Sequence, residues 1–308
     1  MERGGSLSIS ERSLFEFIDS EIRFSEAIFG TCFYVSEFST VNITNSLIHD
    51  SETFGSIFDI SSSSINLFNS TIANNFNNIF LIDQSNLTIS GGIIFNQICF
   101  SNIQGCILSA GIQTKVQIDN LIVHNISSFN EFIFVIDSSV AIFYELIMKN
   151  ISSEKEKGCF LGSIDSKIDI QNSWFQNYLG NCLNFEKSNV SLENAIFSNN
   201  MPDLSRKNYA AILFLDCLII KILNSCFDNN QNAISGGAIN LRRNNKLGLD
   251  SNNASYKIIR DCKFIENHAI QEGGACYSEN QNLKFENCVF FANRAEKGGA
   301  IFIFIEGT

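Results

Sequence analysis

A chain of 308 residues with 29 Phe and a single Pro (Pro202) exceeds the usual size of one globular core, yet it has no Gly/Ser-rich or like-charged linker at which to divide. Its formal net charge of −11 excludes a nucleic-acid-binding role, which needs a basic face against phosphate. No run of eighteen or more apolar residues is present, so no membrane-spanning helix is expected, and the polar start from Met1 to Ser10 lacks the apolar segment of a signal peptide.

Short bursts of Val, Ile, Phe and Leu, punctuated by Ser, Asn and Asp, read as strands and turns, and no apolar stripe holds helical spacing for ten residues. In chain order a short pattern recurs: an apolar residue, any residue, Asn or Asp, two of any kind, then Phe or another apolar residue. The early copies centre on Asp19, Asn45, Asn69, Gly91, Asn120, Glu145 and Asn172. Clear copies follow at Asn194, Asn224, Asp261 and Asn287, where the apolar sixth position is Phe197, Phe227, Phe264 and Phe290. The steps lie between 22 and 37 residues, within the range of solenoid repeats. At about 3.3 Å per residue, such a step suits three short strands and their turns.

A second column trails each anchor, a Gly followed by small or apolar residues. It runs from Gly55, Gly105, Gly158 and Gly180 and sharpens into Gly236-Gly237-Ala238-Ile239, Gly273-Gly274-Ala275-Cys276 and Gly298-Gly299-Ala300-Ile301. The Gly pair supplies a turn of positive φ, and the residue after Ala is expected to point inward. The periodicity predicts an all-β fold, a single-domain right-handed parallel β-helix over residues 1–308 with about eleven coils. Parallel stacking sets Phe over Phe, Ile over Ile and Asn over Asn, and the periodic Asn is expected to face inward and bond to the coils above and below. Ile301 to Ile305 fall in mid-strand, so further coils or an anchor are expected beyond Thr308, and continuation before Met1 is part of the same expectation.

The last third, residues 224–308, pairs Phe227–Asn230, Phe264–Asn267 and Phe290–Asn293 with the three Gly-Gly-Ala runs. These residues resemble the repeats of chlamydial polymorphic outer-membrane proteins, which also occur in large surface proteins of protists, notably ciliates. The resemblance implies a β-helical, surface-exposed, adhesive scaffold. Nothing in the chain matches the membrane barrel of an autotransporter, so that route of secretion is not implied.

Several groups bear on chemistry. Seven sequons begin at Asn42, Asn69, Asn86, Asn125, Asn150, Asn189 and Asn253, and outward ones would carry glycan on a secreted eukaryotic protein; Asn69, in the ladder column, is expected to be inaccessible. The ten cysteines include no CxxC pair and read mostly as small buried residues. His49 and His124 read as turn-surface residues.

Acidic residues recur at the turn before the anchor strand. If Asp137, Asp165, Glu186 and Asp216 stack from consecutive coils, with Asp83 and Asp59 nearby in earlier ones, four carboxylates would line one edge as a calcium ladder; the alternative is a solvated cap on each turn. Apart from calcium, no cofactor is indicated.

Two functions stay open. The first is a non-enzymatic extracellular or cell-surface scaffold, adhesive or a structural spacer, with glycans or surface proteins as partners. The second is a pectin-lyase-like polysaccharide lyase or hydrolase, for which Asp165, Lys167, Asp169, Glu186 and Lys187 form the best cluster, Lys167 neighbouring Lys187 across coils. Two excursions, Met201 to Asn208 and Asn240 to Ala254, are candidate binding loops.

Overall fold

The computed structural model describes residues 7–23, 26–27, 33–53, 56–76, 78–99, 106–128, 132–153, 159–178, 181–200, 210–231, 233–243, 256–279 and 282–305. These residues form strands and turns without a helix, and the strands pair in parallel into a β-solenoid. Two compact units divide the chain, Met1–Lys155 and Glu156–Thr308. In the amino-terminal unit one sheet is built from Leu7–Ile9, Phe33–Val35, Ser56–Ser61, Asn78–Asp83, Leu108–Ala110 and Phe132–Asp137. In the carboxy-terminal unit a sheet is built from Cys159–Ile164, Asn181–Glu186, Ile212–Leu215, Ile239–Arg242, Cys276–Glu279 and Ile301–Phe304. With six such strands described in each unit, the coil count departs slightly from the expected eleven.

Alternation along each strand builds the core. In the amino-terminal unit Val41, Ile65, Leu87 and Val116 lie in register, as do Ile43, Leu67, Ile89 and Ile118, and all eight are buried. Phe33, Phe58 and Phe80 stack face to face with ring centroids 4.9 Å apart at each step. In the carboxy-terminal unit the rings of Phe175, Phe197, Phe227, Phe264 and Phe290 stack at 4.9, 5.0, 4.9 and 4.8 Å. A thin coil cannot bury such rings by itself, and the parallel neighbour supplies the missing contacts.

The anchors are corners. Asp19, Asn45, Asn69, Gly91, Asn120 and Glu145 in the first unit, and Asn172, Asn194, Asn224, Asp261 and Asn287 in the second, have φ between 47° and 69°. Asn and Asp tolerate this left-handed region better than other side chains, which explains their recurrence. After five of the eleven anchors the next residue is Ser, and its hydroxyl can bond back to the carbonyl two residues before, as Ser46 does to Thr44 (2.8 Å) and Ser225 to Leu223 (2.7 Å).

The expectation that the anchor Asn faces inward is corrected. Asn45 donates to Asp19 (3.1 Å) and Asn194 to Asn172 (2.9 Å) across exposed corners. The buried amide ladder belongs to the Asn three residues after Phe: Asn230 Nδ2 donates to Asn267 Oδ1 (2.8 Å), and Asn267 Nδ2 to Asn293 Oδ1 (3.0 Å). The glycines meet their expectation at Gly236, Gly273 and Gly298, with φ of 67°, 63° and 58°. Ile239 and Cys276 after them are fully buried. Gly55, Gly105, Gly158 and Gly180 lie outside the described residues.

Candidate functional site

The acidic turn is set by where each coil places its left-handed corner. In the carboxy-terminal unit Asp165, Lys187 and Asp216 take that corner, with φ of 49°, 49° and 54°. Backbone bonds fix their order: Asp165 N donates to Glu186 O (3.1 Å) and Lys187 N to Leu215 O (2.9 Å). Glu186 instead ends its strand, in register with Ile164 on one side and Leu215 on the other. The predicted calcium ladder is therefore corrected. Asp165 and Asp216 stand two coils apart, about 9.6 Å at the usual strand spacing, with the Lys187 corner between them. Glu186 sits one residue out of step, its Oε1 3.8 Å from Lys187 Nζ. In the amino-terminal unit Asp137 likewise precedes its corner, Ser138 (φ 47°), and accepts the Ser138 hydroxyl at 3.1 Å. Asp83 precedes Gln84 in the same way, and Asp59 lies mid-strand in register with Tyr34 and Leu81. Among the described residues no group of three or more His, Cys, Asp or Glu side chains could hold a metal ion. Calorimetric titration of the chain with calcium to millimolar concentration is expected to give no binding heat; a saturable isotherm would restore the ladder.

The cluster considered for polysaccharide cleavage also separates. Lys167 is in register with Asn189, not Lys187, and Asp169 is in register with Ser191. Asp169 Oδ2 accepts Gln171 Nε2 at 3.1 Å on the outer face of its strand.

The corner serines form a ladder of their own. Ser39 N donates to Ser63 Oγ (3.1 Å) and Ser63 N to Ser85 Oγ (3.0 Å) in the first unit; Ser166 N donates to Ser188 Oγ (3.2 Å) in the second. Cysteines take serine places in such ladders. Cys217 Sγ reaches Leu215 O (3.6 Å) and Cys262 Sγ reaches Arg260 O (3.2 Å), each two residues back, as the serines do. Burial pushes the Cys217 and Cys262 thiols up to about 12, so they stay neutral and inert. Cys182, Cys226, Cys276 and Cys288 are also free thiols. Cys106 is fully buried, as expected of most of the cysteines, and is disulfide-bonded.

One buried charge escaped the sequence reading. Ile168, Val190 and Ile220 form an inward column, and the next residue in register is Lys257. It is 5% exposed, and burial lowers its pKa to about 8, with the Arg243 charge acting in the same direction. The folded pKa lies below the unfolded value, so protonation opposes folding. Stability is full above about 10.4, the unfolded lysine value, and is lost as pH falls to about 8. Lys257→Met is expected to raise stability at pH 7 by about 1–3 kcal/mol and to flatten that pH dependence in urea melts.

Of the sequons, Asn69 is exposed at its corner, contrary to expectation, and Asn189 is exposed at the start of its strand. Asn86, Asn125 and Asn150 donate to Ser64, Asn96 and Asn125 at 3.3–3.4 Å. Asn253, residues 201–208 and residues 244–254 lie outside the described residues. His124 stacks on Phe95 with centroids 5.3 Å apart. No helix among the described residues is long and apolar enough to cross a membrane.

No family model and no curated protein matches the chain. Among solved structures, the Agl-KA catalytic domain is similar at 11% identity, with a TM-score of 0.26 over 98% of this chain. The chain spans 61% of the length of that structure, and a likeness so weak bears on neither the fold nor the activity.

Proposed function

We propose that the chain is a non-enzymatic scaffold of an extracellular or cell-surface protein, of the kind its Gly-Gly-Ala and Phe-x-x-Asn runs resemble. The observation that carries this reading is the use of outward corner side chains to join coil to coil. Asn96, Asn125 and Asn150 bond in series in the first unit (3.3 and 3.4 Å), and Asn177, Asn199 and Asn229 in the second (3.4 and 2.8 Å). An exterior built this way holds a long, stiff element together, which is what a spacer or an adhesive stalk requires. The disulfide at Cys106 and the exposed sequons at Asn69 and Asn189 accord with an oxidising, secretory environment and with glycosylation. Glycans or surface proteins are the partners such a scaffold would meet.

The test incubates the chain with a panel of acidic and neutral polysaccharides. One arm follows reducing ends and unsaturated products, and the other follows retention of the chain on immobilised glycans and on cell surfaces. The scaffold reading expects no product and measurable retention. New reducing ends or unsaturated uronates would overturn it in favour of the lyase or hydrolase.

A further inference from the structure

The ring of His49 ends the strand Leu47–His49 and is clamped on both sides. Nε2 lies 2.9 Å from Glu21 Oε1 of the preceding coil, and Nδ1 lies 2.7 Å from Asp50 Oδ2 at the adjoining corner. Only 14% of the side chain is exposed. Both partners are carboxylates, which only accept hydrogen bonds when ionised. A neutral imidazole has one N–H, so it satisfies one of them and turns a lone pair on the other. The imidazolium satisfies both.

The surrounding charges decide which form the site favours. On Glu21–Arg23, the strand paired on one side, Arg23 is in register with His49, and its Nε lies 3.7 Å from Glu21 Oε1. On the other side the register partner is Ala73, and Thr71 to Ala73 carry no charge. Glu26 and Glu52 begin the paired strands that follow, and their side chains lie outside the described residues. With His49 protonated, Glu21 and Asp50 balance Arg23 and His49. With His49 neutral, the quartet keeps one uncompensated negative charge next to a broken contact.

We propose that His49 is a proton-operated clamp that ties the first coils of the amino-terminal unit together in mild acid and loosens them at alkaline pH. The hydrogen bond to Glu21 is the main reason its pKa is raised above 6.5, with Asp50 adding to it against a partial loss from burial. A histidine whose folded pKa is raised gives its full stabilisation below the unfolded value, and that stabilisation is lost as pH rises through the folded value. The device acts whether or not the chain is an adhesive scaffold.

The chain has only three histidines, so each ring can be assigned by NMR in the intact protein. His49 is expected to titrate above 6.5 and to fall back toward that value in Glu21→Gln. Amide exchange at Ile22 and Ile48, corrected for its intrinsic pH dependence, should slow between about pH 8 and pH 5.5, by about tenfold for each unit of elevation. In His49→Gln, which keeps an amide donor but no group that titrates, that pH dependence should vanish while the far-UV spectrum stays unchanged. A His49 titration at or below 6.5, or the same pH-dependent protection in His49→Gln, would overturn the clamp.

Discussion

Gly274→Ala is expected to be among the most damaging single substitutions in the chain. A Cβ at this position would fall inside van der Waals contact of the Gly299 carbonyl oxygen, and 2.5 and 2.6 Å from the backbone N and O of Arg294. These are backbone atoms of the following coil, so no side-chain rotation relieves the overlap. The coils would have to separate, and the hydrogen bonds Gly274 N to Gly298 O (3.3 Å) and Ala275 N to Ala300 O (2.8 Å) hold them together. The expected loss is on the order of 3–5 kcal/mol, in the range where one substitution unfolds a marginal domain. Gly237 repeats the constraint, since its Cβ would meet the backbone N and O of His268 at 2.9 Å each. Ala292→Gly provides the opposite sign. Ala292 sits at φ 53°, so replacement by glycine relieves left-handed strain and is expected to be neutral or to stabilise by up to about 1 kcal/mol. Urea midpoints of the two variants against the parent check both; equal midpoints for Gly274→Ala and the parent would refute the close-approach account.

Asn267→Ala is the second large effect. Its side chain is fully buried and fully bonded. Nδ2 donates to Phe227 O (2.9 Å) and Asn293 Oδ1 (3.0 Å), and Oδ1 accepts Asn230 N (3.2 Å) and Asn230 Nδ2 (2.8 Å). Truncation leaves two donors on Asn230, itself fully buried, without this acceptor, and takes a donor from Phe227 O. Each buried group left unpaired costs about 1–3 kcal/mol, so a total of about 3–5 kcal/mol is expected. Asn293→Ala should cost less, because Asn293 is only half-buried and water can replace part of what is lost. A Thermofluor or calorimetric melt in which Asn293→Ala is the more harmful of the two would contradict the burial argument.

These two positions show how far the sequence was legible. The recurring anchors announced a period of 22 to 37 residues, sharpest where the Phe-x-x-Asn and Gly-Gly-Ala runs join them, and the period alone implied parallel coils with like stacked on like. The Phe stacks and the positive-φ glycines follow directly, because neither depends on more than the register of identical motifs. The anchor Asn was harder. Its spacing was plain, but spacing does not say whether a residue turns a corner or fills one, and Asn serves both roles in this chain. Asn194 turns a corner and is exposed, whereas Asn230 fills one and is buried.

The acidic turn marks the limit. Asp165, Glu186 and Asp216 occur at similar places in their coils, and a ladder followed from that. Stacking is decided by the backbone bond that each corner residue makes to the next coil, and a corner one residue later moves a side chain into a different column. Glu186 precedes its corner while Asp165 and Asp216 occupy theirs, so Lys187 came between them. Lys257 is the same lesson inside the core: only the register with Ile220 shows that this buried residue continues a column of aliphatic side chains. Composition and period by themselves determined the solenoid, its parallel pairing and its aromatic core, because burying apolar side chains in a thin coil has few other solutions. Which polar side chains meet, and with what charge, was decided by the tertiary structure, because a one-residue shift costs the apolar ladder nothing at a corner and changes every polar contact there.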